Sequence, residues 1–415
     1  MRQYQDILGV SQRPESYRGH HSRRSLLSRL CWTIVSLSLG CLSGNDSDTI
    51  PTQEQVASTA DWTLEPLWTY ASSESTSVRW VHGGLLLPGA RVLIGGQDEF
   101  RLVLLDSDGQ VLRSFGRRGQ GPGEIQVLGR SSLVSYRGDS VAVYDPQARR
   151  VSIFTGEGNF GRVVVPAPWR EISAPMALLF RGALADGRLL FLGRETILDA
   201  PRGEVYRPRE PLLAYDADGA HPEMLREVPG REQYRAPGAR SGALALARET
   251  LVAVGRDGYY LGQTDSTLIQ FVGASGEQTW TVPGAVAAPT AAEVRAERSR
   301  LRSALQQQFR GVPPPLMAGR LAYADEVPFP PTKPVFDRLV AGSEGELWVR
   351  LLQRLDVSDT ASTDWVVLDR AGRSIGRARL PGGSEILAAD SQRILVLHDA
   401  ATEDTVTMYR VRRPR

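Results

Sequence analysis

The sequence predicts an all-β chain folded as a six-bladed β-propeller, and three observations carry that prediction. A turn pair followed by a short apolar run recurs along the 415 residues. Behind most copies stand two further runs of β-branched and aromatic residues, joined by a tight turn rich in Asp and Gly. The last copy lacks its final run, and an unused one lies near the N-terminus.

The first sixty residues stand apart from that pattern. Arg18, Arg23, Arg24 and Arg29 precede the apolar run "LCWTIVSLSLG", Leu30 to Gly40, which is followed by Cys41 and a polar stretch. The run is shorter than the roughly 20 residues that span a bilayer. It fits a signal-peptide core. Leu39-Gly40-Cys41 resembles a bacterial lipoprotein cleavage box, although Ser38 stands where an aliphatic residue is usual, and a plain secretory signal is the other reading. "SRRSLL" also has the look of a twin-arginine signal. The expected organisation is a signal peptide over 1–41 with lipid on Cys41, a disordered tether over 42–60, and one propeller over 61–412. The expected location is the cell envelope or periplasm.

Cys31 and Cys41 are the only cysteines, so the exported domain has neither disulfides, thiol catalysis nor thiolate metal ligands. The formal charge of +2 gives no electrostatic reason to expect nucleic acid, and contact with a membrane is expected only through the lipid. Lys333 is the single lysine among 49 basic residues. Arginine suits carboxylate and phosphate recognition, while GC-rich coding accounts for the same excess.

The copies begin "GARVLIGG" at Gly89, "GDSVAVYD" at Gly138, "DGRLLFLGR" at Asp186, "ETLVAVG" at Glu249, "EGELWVR" at Glu344 and "SQRILVLHD" at Ser391. Their spacings are 49, 48, 63, 95 and 47, so a period near 48 is interrupted by two insertions. With strands named A to D from the axis outward, each copy is read as strand B. "FRLVLLDSDGQVLRSF", "RRVSIFTGEGNFGRVVV", "PLLAYDADGAHPEMLREV", "LIQFVGASGEQTWTV" and "DWVVLDRAGRSIGRARL" supply the C–D hairpins. "DTVTMYRV" is strand C of blade 6, and "DWTLEPLWTYA", Asp61 to Ala71, is expected to close that blade and remove its open edge.

Up-and-down blades send their B–C and D–A connections to one face. That face collects the irregular segments: "GRRGQGPGE" between blades 1 and 2, Arg194 to Glu210 in blade 3, Gln353 to Thr363 in blade 5, and the insertion 284–334 between blades 4 and 5. Within the insertion, "TAAE" (Thr290 to Glu293) forms a capping box, and Val294, Leu301, Leu305 and Phe309 recur at helical spacing, predicting a helix over 290–309 stopped by Gly311 and Pro313 to Pro315. Its readings are a helix packed on the blades or a lid over the channel mouth. The glycine loop lacks the Lys-Ser/Thr of a phosphate-binding loop and any GxGxxG that opens a helix. It reads as a stiff connector carrying Arg117, Arg118 and Glu124, either as a clamp between blades or as a ligand contact.

The "FGRRGQGPGE" loop, "VYDPQARRVSIF" and "FDRLVAGSEGELWVR" resemble bacterial exported six-bladed propellers related to NHL-repeat proteins, many of which are lipoproteins. The resemblance covers about residues 60–412 and implies the fold; it implies no activity.

Two functional classes remain. The first is a ligand- or protein-binding module working through the long-loop face, with Arg117, Arg118, Glu124, Arg194, Arg207, Asp337 and Arg354 as candidate contacts and no cofactor. The arginine excess there favours an anionic glycan or a peptide or protein carboxylate. Tyr206, Arg209, Phe336 and Trp348 stand nearby, Trp348 reading as core. The alternative is a calcium-dependent hydrolase of the lactonase or arylesterase kind, which would hold a hard cation on the axis with oxygen ligands; Asp98, Glu99 and Asp337 are the candidates. His82, His221 and His398 are the histidines beyond residue 60, and no HExxH or GxSxG surrounds them.

Overall fold

The computed structural model describes residues 60–71, 80–96, 100–130, 132–169, 176–195, 203–235, 241–309, 314–352, 362–398 and 404–414. The signal-peptide and tether readings, including Cys41, lie outside these residues, as do Asp98, Glu99 and Arg354.

The chain begins with β1 (Thr63–Ala71). Blade 1 then follows as β2 (Val81–Leu86), β3 (Val92–Gly96), β4 (Arg101–Leu105) and β5 (Val111–Phe115). Blade 2 is β6 (Leu133–Ser135), β7 (Val141–Asp145), β8 (Arg150–Phe154) and β9 (Phe160–Val164). Blade 3 uses β10 (Met176–Ala183), β11 (Leu189–Glu195), β13 (Arg209–Tyr215) and β14 (Pro222–Pro229), with β12 (Val205–Tyr206) in its B–C connection. Two short strands, β15 (Gln233–Arg235) and β16 (Ser241–Ala243), follow, and they build a small three-stranded sheet with β12. Blade 4 is β17 (Thr250–Gly255), β18 (Gly258–Gln263), β19 (Leu268–Gly273) and β20 (Gly276–Thr281). Helices α1 (Ala291–Gln308) and α2 (Pro314–Glu326) precede blade 5, which is β21 (Phe336–Ala341), β22 (Leu347–Leu351), β23 (Thr363–Leu368) and β24 (Ser374–Leu380). The last strands are β25 (Ser384–Ala389), β26 (Arg393–His398) and β27 (Thr405–Arg412).

These strands form the expected six-bladed propeller, and β1 is the outer strand of blade 6. It pairs antiparallel with β27 from Thr63↔Arg412 to Ala71↔Thr405. The register closes the ring with hydrogen bonds between the two ends of the chain and leaves blade 6 no partial edge.

The core is a stack of apolar layers between neighbouring blades. Leu189, Leu190, Phe191 and Leu192 are all fully buried. Because strand side chains alternate, Leu189 and Phe191 pack towards Tyr144 and Val151 of blade 2, while Leu190 and Leu192 pack towards Tyr259 and Leu261 of blade 4. Burial on both faces is why the inner strands read as unbroken apolar runs rather than alternating ones. The outer strands alternate poorly and are open to solvent, as in the exposed Val111 and Leu112 of β5.

The C–D turns repeat one device. Asp106, Asp216 and Asp369 each accept backbone N–H groups two and four residues on, while Gly109, Gly219 and Gly372 take positive φ of 79°, 77° and 75°. The aspartate caps the turn and the glycine supplies the left-handed residue.

Two sequence readings change. "ETLVAVG" is the inner strand A of blade 4, not strand B; β18, "GYYLGQ", takes that place after the hairpin closed by Gly255↔Gly258. A turn pair before an apolar run marks any strand that follows a bend, so it does not by itself identify strand B. The insertion also holds a second helix. α1 has the expected capping box, with Glu293 N–H donating to Thr290 Oγ1 and Thr290 N–H to Glu293 Oε2. α1 ends at Gln308, before the prolines, as expected, and Pro314 and Pro315 then open α2, since proline is well suited to a first turn whose N–H groups have no partner. The Tyr323 ring of α2 lies 6.2 Å from that of Tyr234 of β15 at a tilt of 33°, tying the helical insertion to the small sheet. Among the described residues no helix is long and apolar enough to cross a membrane.

Candidate ligand-binding site

The inner strands start at the face that carries the D–A and B–C connections, and several are interrupted there or along their length. Register shifts leave His82 in β2, Arg181 in β10, Asp337 in β21 and Leu387 in β25 as extra residues opposite the B strand. A bulge bends its strand and re-aims one side chain out of the alternating pattern. Three of these four bulges place a polar side chain on an innermost strand.

Around two of them the charges gather. Glu385 of β25 accepts from Arg130 Nη1 at 3.1 Å and is ion-paired with Arg338 of β21. One carboxylate thus meets guanidinium groups from the blade 1–2 connection and from blade 5, and it is itself 12% exposed. Asp337 turns to Arg350, whose Nε and Nη2 reach its two oxygens at 2.6 and 3.0 Å. Arg194 donates to the buried Glu210 at 2.8 Å and lies 3.5 Å from Glu249.

Arg181 is different. Its Nε is buried and has no hydrogen-bond partner among the described residues. Burial, then repulsion by Arg194, pushes its pKa down to about 10, against the pull of Glu249 and Glu210. Arg338 is pushed to about 9, first by burial and then by Arg350, Arg130 and Arg181. Both groups stay cationic at neutral pH, with burial opposing the charge and the nearby carboxylates supporting it. Arg194 moves the other way: burial lowers it, but Glu210 and Glu249 outweigh that and its pKa is raised.

The predicted rim residues are present and mostly partnered. Arg117 donates to Glu124 at 2.7 Å, and Gly121 N–H donates to the other oxygen of Glu124 at 2.7 Å. These contacts, the backbone one first, lower the Glu124 pKa. Arg150 of blade 2 donates to the carbonyls of Gln120, Gly121 and Glu124, and Gln126 N–H to Asp145, so the loop is bound to blade 2 as well as to itself. Arg118 lies over the Phe100 ring at 5.3 Å. Arg207 donates to Asp265 at 2.8 Å and to the Gly230 carbonyl. Trp348 and Phe336 are fully buried.

His398 contacts Ser384 Oγ at 2.8 Å and Tyr409 Oη at 3.2 Å, and burial lowers its pKa. Ser384 is almost fully buried, so the pair joins strands A and B rather than facing a substrate. Among the described residues no group of three or more His, Cys, Asp or Glu side chains is arranged to hold a metal ion.

Sequence reasoning did not single out Arg130, Arg181, Arg338 and Glu385. A signal existed: an arginine inside "LLFRGA" or "FDRLVA" breaks an apolar inner strand. Nothing local says that Arg130 and Arg338 meet at one carboxylate, Glu385.

The chain matches no protein-family profile and no curated protein. Its fold is similar to that of a Bacteroides fragilis protein provisionally named as exported, at 14% identity and a TM-score of 0.45, over 88% of this chain and 98% of that one. It is also similar to a member of the duf4221 family from Bacteroides vulgatus, at 8% identity and a TM-score of 0.45, over 86% and 99%. A third is a catalytically inactive virginiamycin B lyase from Staphylococcus aureus with quinupristin, at 11% identity and 0.40, over 84% and 99%.

Proposed function

We propose that the chain is an exported, lipid-anchored binding module that takes an anionic ligand at the long-loop face of its propeller. The observation that carries the binding reading is Arg181, whose Nε is buried without a hydrogen-bond partner among the described residues. A buried guanidinium nitrogen without an acceptor is unfavourable, and an incoming anion would supply the acceptor that Arg181 Nε lacks. Arg117 and Glu124 pair on a braced loop between blades 1 and 2, and the Arg194–Glu210 and Arg207–Asp265 pairs hold the B–C connection of blade 3. The ligand class is an acidic glycan or a peptide or protein carboxylate. Export and anchoring rest on the apolar run before Cys41 and on Leu39-Gly40-Cys41.

The calcium-hydrolase reading has less support. Asp337 would have to release Arg350, which holds both of its oxygens, before it could ligate a cation.

The test is thermal unfolding of the protein with carboxylates, sulfate and phosphate at matched ionic strength, beside chelator and calcium. Binding to the native state raises the melting temperature by mass action. The reading requires a rise with at least one anion that is lost in Arg181→Gln. A rise with calcium and none with any anion would favour the hydrolase instead.

A further inference from the structure

A second site lies on the opposite face of the propeller, at the seam between blades 6 and 1, and it does not depend on the binding reading above. A cleft of about 380 Å³ opens there, towards the lower end of the range for small-molecule sites. Blade 6 lines it with Leu67, Trp68, Arg393, Met408 and Arg410, and blade 1 contributes Asp108. Asp108 belongs to the C–D turn of blade 1 and Arg393 follows the A–B turn of blade 6, so the cleft looks away from the long loops.

At three other seams the outer strand of one blade sends an arginine to the C–D hairpin of the next. Arg113 donates to the Glu157 carbonyl and Asn159, Arg162 to the Ala217 carbonyl and Asp218, and Arg226 to Glu277. In β1 the register slips between Pro66 and Trp68, which leaves Leu67 as an extra residue, 38% exposed. Trp68 makes the reach instead, its Nε1 donating to the Ser107 carbonyl at 2.8 Å, and the cleft remains beside the indole.

Arg393 and Arg410 stand directly opposite each other in the register of β26 and β27, where like charges repel. Arg393 is compensated within the chain, since Asp390 accepts from its Nε and Nη2 at 3.1 and 2.8 Å. Arg410 is held less closely. Its carboxylate, Glu65, lies 3.9 Å from Nη1 and accepts from Arg412 Nε at 2.9 Å. Met408 is two residues before Arg410 on the same face of β27, so it sets an apolar floor beside the guanidinium.

We propose that this cleft binds a small hydrophobic carboxylate, with its apolar body against Leu67, Trp68 and Met408 and its anionic group on Arg410. A guanidinium whose own carboxylate is distant and shared gains from a second one. The apolar wall offers area that a simple inorganic anion cannot use. Asp108 repels a second negative charge, which favours monocarboxylates over dicarboxylates.

The experiment is calorimetric titration of the full chain with indole-3-acetate, phenylacetate and hexanoate, beside acetate, phosphate and tryptamine, at fixed ionic strength. It is run on the wild type and on Arg181→Gln, in which the anion site of the long-loop face is disabled, so that the two readings fail separately. The hydrophobic carboxylates should bind both proteins alike, and more tightly than acetate. Arg410→Gln and Leu67→Asp alter side chains that are well exposed, and each should weaken that binding on the order of tenfold.

Failure of the hydrophobic carboxylates to bind overturns the proposal, and so does binding that survives both substitutions unchanged. Acetate or phosphate binding as tightly as the hydrophobic carboxylates, or tryptamine binding more tightly, overturns the ligand class. Binding that disappears in Arg181→Gln belongs to the long-loop face and overturns the assignment to this cleft. Should Leu67→Asp unfold, Arg410→Gln decides alone.

Discussion

The indole of Trp62 stands edge-on to that of Trp348, with ring centroids 5.7 Å apart and planes at 73°. Trp62 precedes β1 and Trp348 lies in β22, so the contact fastens the N-terminal segment to blade 5 while β1 itself belongs to blade 6. Backbone bonds support it: Trp62 N–H donates to the Arg377 carbonyl at 2.6 Å, and Arg377 N–H to the Ala60 carbonyl at 3.1 Å. Arg413 covers the outer side of the Trp62 ring at 4.8 Å.

Trp62→Ala should therefore destabilise the propeller by about 3–5 kcal/mol, the usual range for emptying a buried aromatic site. Gly376→Ala should act at the same place, because a Cβ there would run into the Trp62 indole. Urea unfolding of the two variants and their double mutant checks this. Additive effects would mean that the two sites are independent, against this expectation.

The glycine-rich loop should depend more on Arg150 than on Arg117. The Arg117 side chain is 80% exposed, and its pair with Glu124 is open to solvent screening. Arg150 ties down three carbonyls of the loop. Arg150→Ala should cost roughly 1–3 kcal/mol and speed amide exchange over residues 119–125, whereas Arg117→Ala should leave both nearly unchanged. Equal exchange rates in the two variants would contradict the assignment.

Arg181→Gln should make the ligand-free protein more stable, by about 0.5–2 kcal/mol, because it removes a buried guanidinium nitrogen with no hydrogen-bond partner among the described residues and the repulsion from Arg194. Thermal unfolding without added anions reads this directly. A fall in melting temperature would mean that Arg181 has a structural partner in solution.

Acid should loosen the protein at two places. Lys333 and the capping contacts from Thr290 overcome the opposing effect of burial and hold the Glu293 pKa at about 2, against 4.5 for the unpaired group. That depressed value gives stability above pH 4.5 that is lost as pH falls towards 2. The pKa of His398 is also depressed, by burial, below 6.5. On acidification through 6.5 the unfolded chain takes up that proton first, so stability falls there too. Glu293→Gln should flatten the pH dependence between 4.5 and 2, and His398→Asn the fall that begins as pH drops through 6.5. The stability-versus-pH curves of the variants check both.

Cys41→Ser should abolish labelling by a radioactive fatty acid and move the protein from the membrane fraction to the soluble one. Retention of lipid would place the modification elsewhere in the chain.

Much of the fold was legible because it depends on local rules. The Asp and Gly of the C–D turns, the apolar runs, the Thr290–Glu293 capping box and the spare strand 61–71 each follow from spacing within a few residues. The misreadings have equally local causes: Pro314 and Pro315 fit the first turn of a new helix as well as the end of an old one, and β17 begins like a strand B. The small sheet of β12, β15 and β16 stayed hidden because its strands are two or three residues long, too short to show a period.

The candidate site was beyond local reading. Arg130 and Glu385 meet across 255 residues of sequence, and Arg338 joins them from a third part of the ring. Arg181 leaves the alternating pattern only because β10 slips its register between Phe180 and Gly182. The blades, their order and the strand that closes them can be read from the residues alone, since each blade is a meander of neighbours. Which charges face one another follows from the closed ring, which brings together residues whose spacing along the chain carries no trace of the meeting.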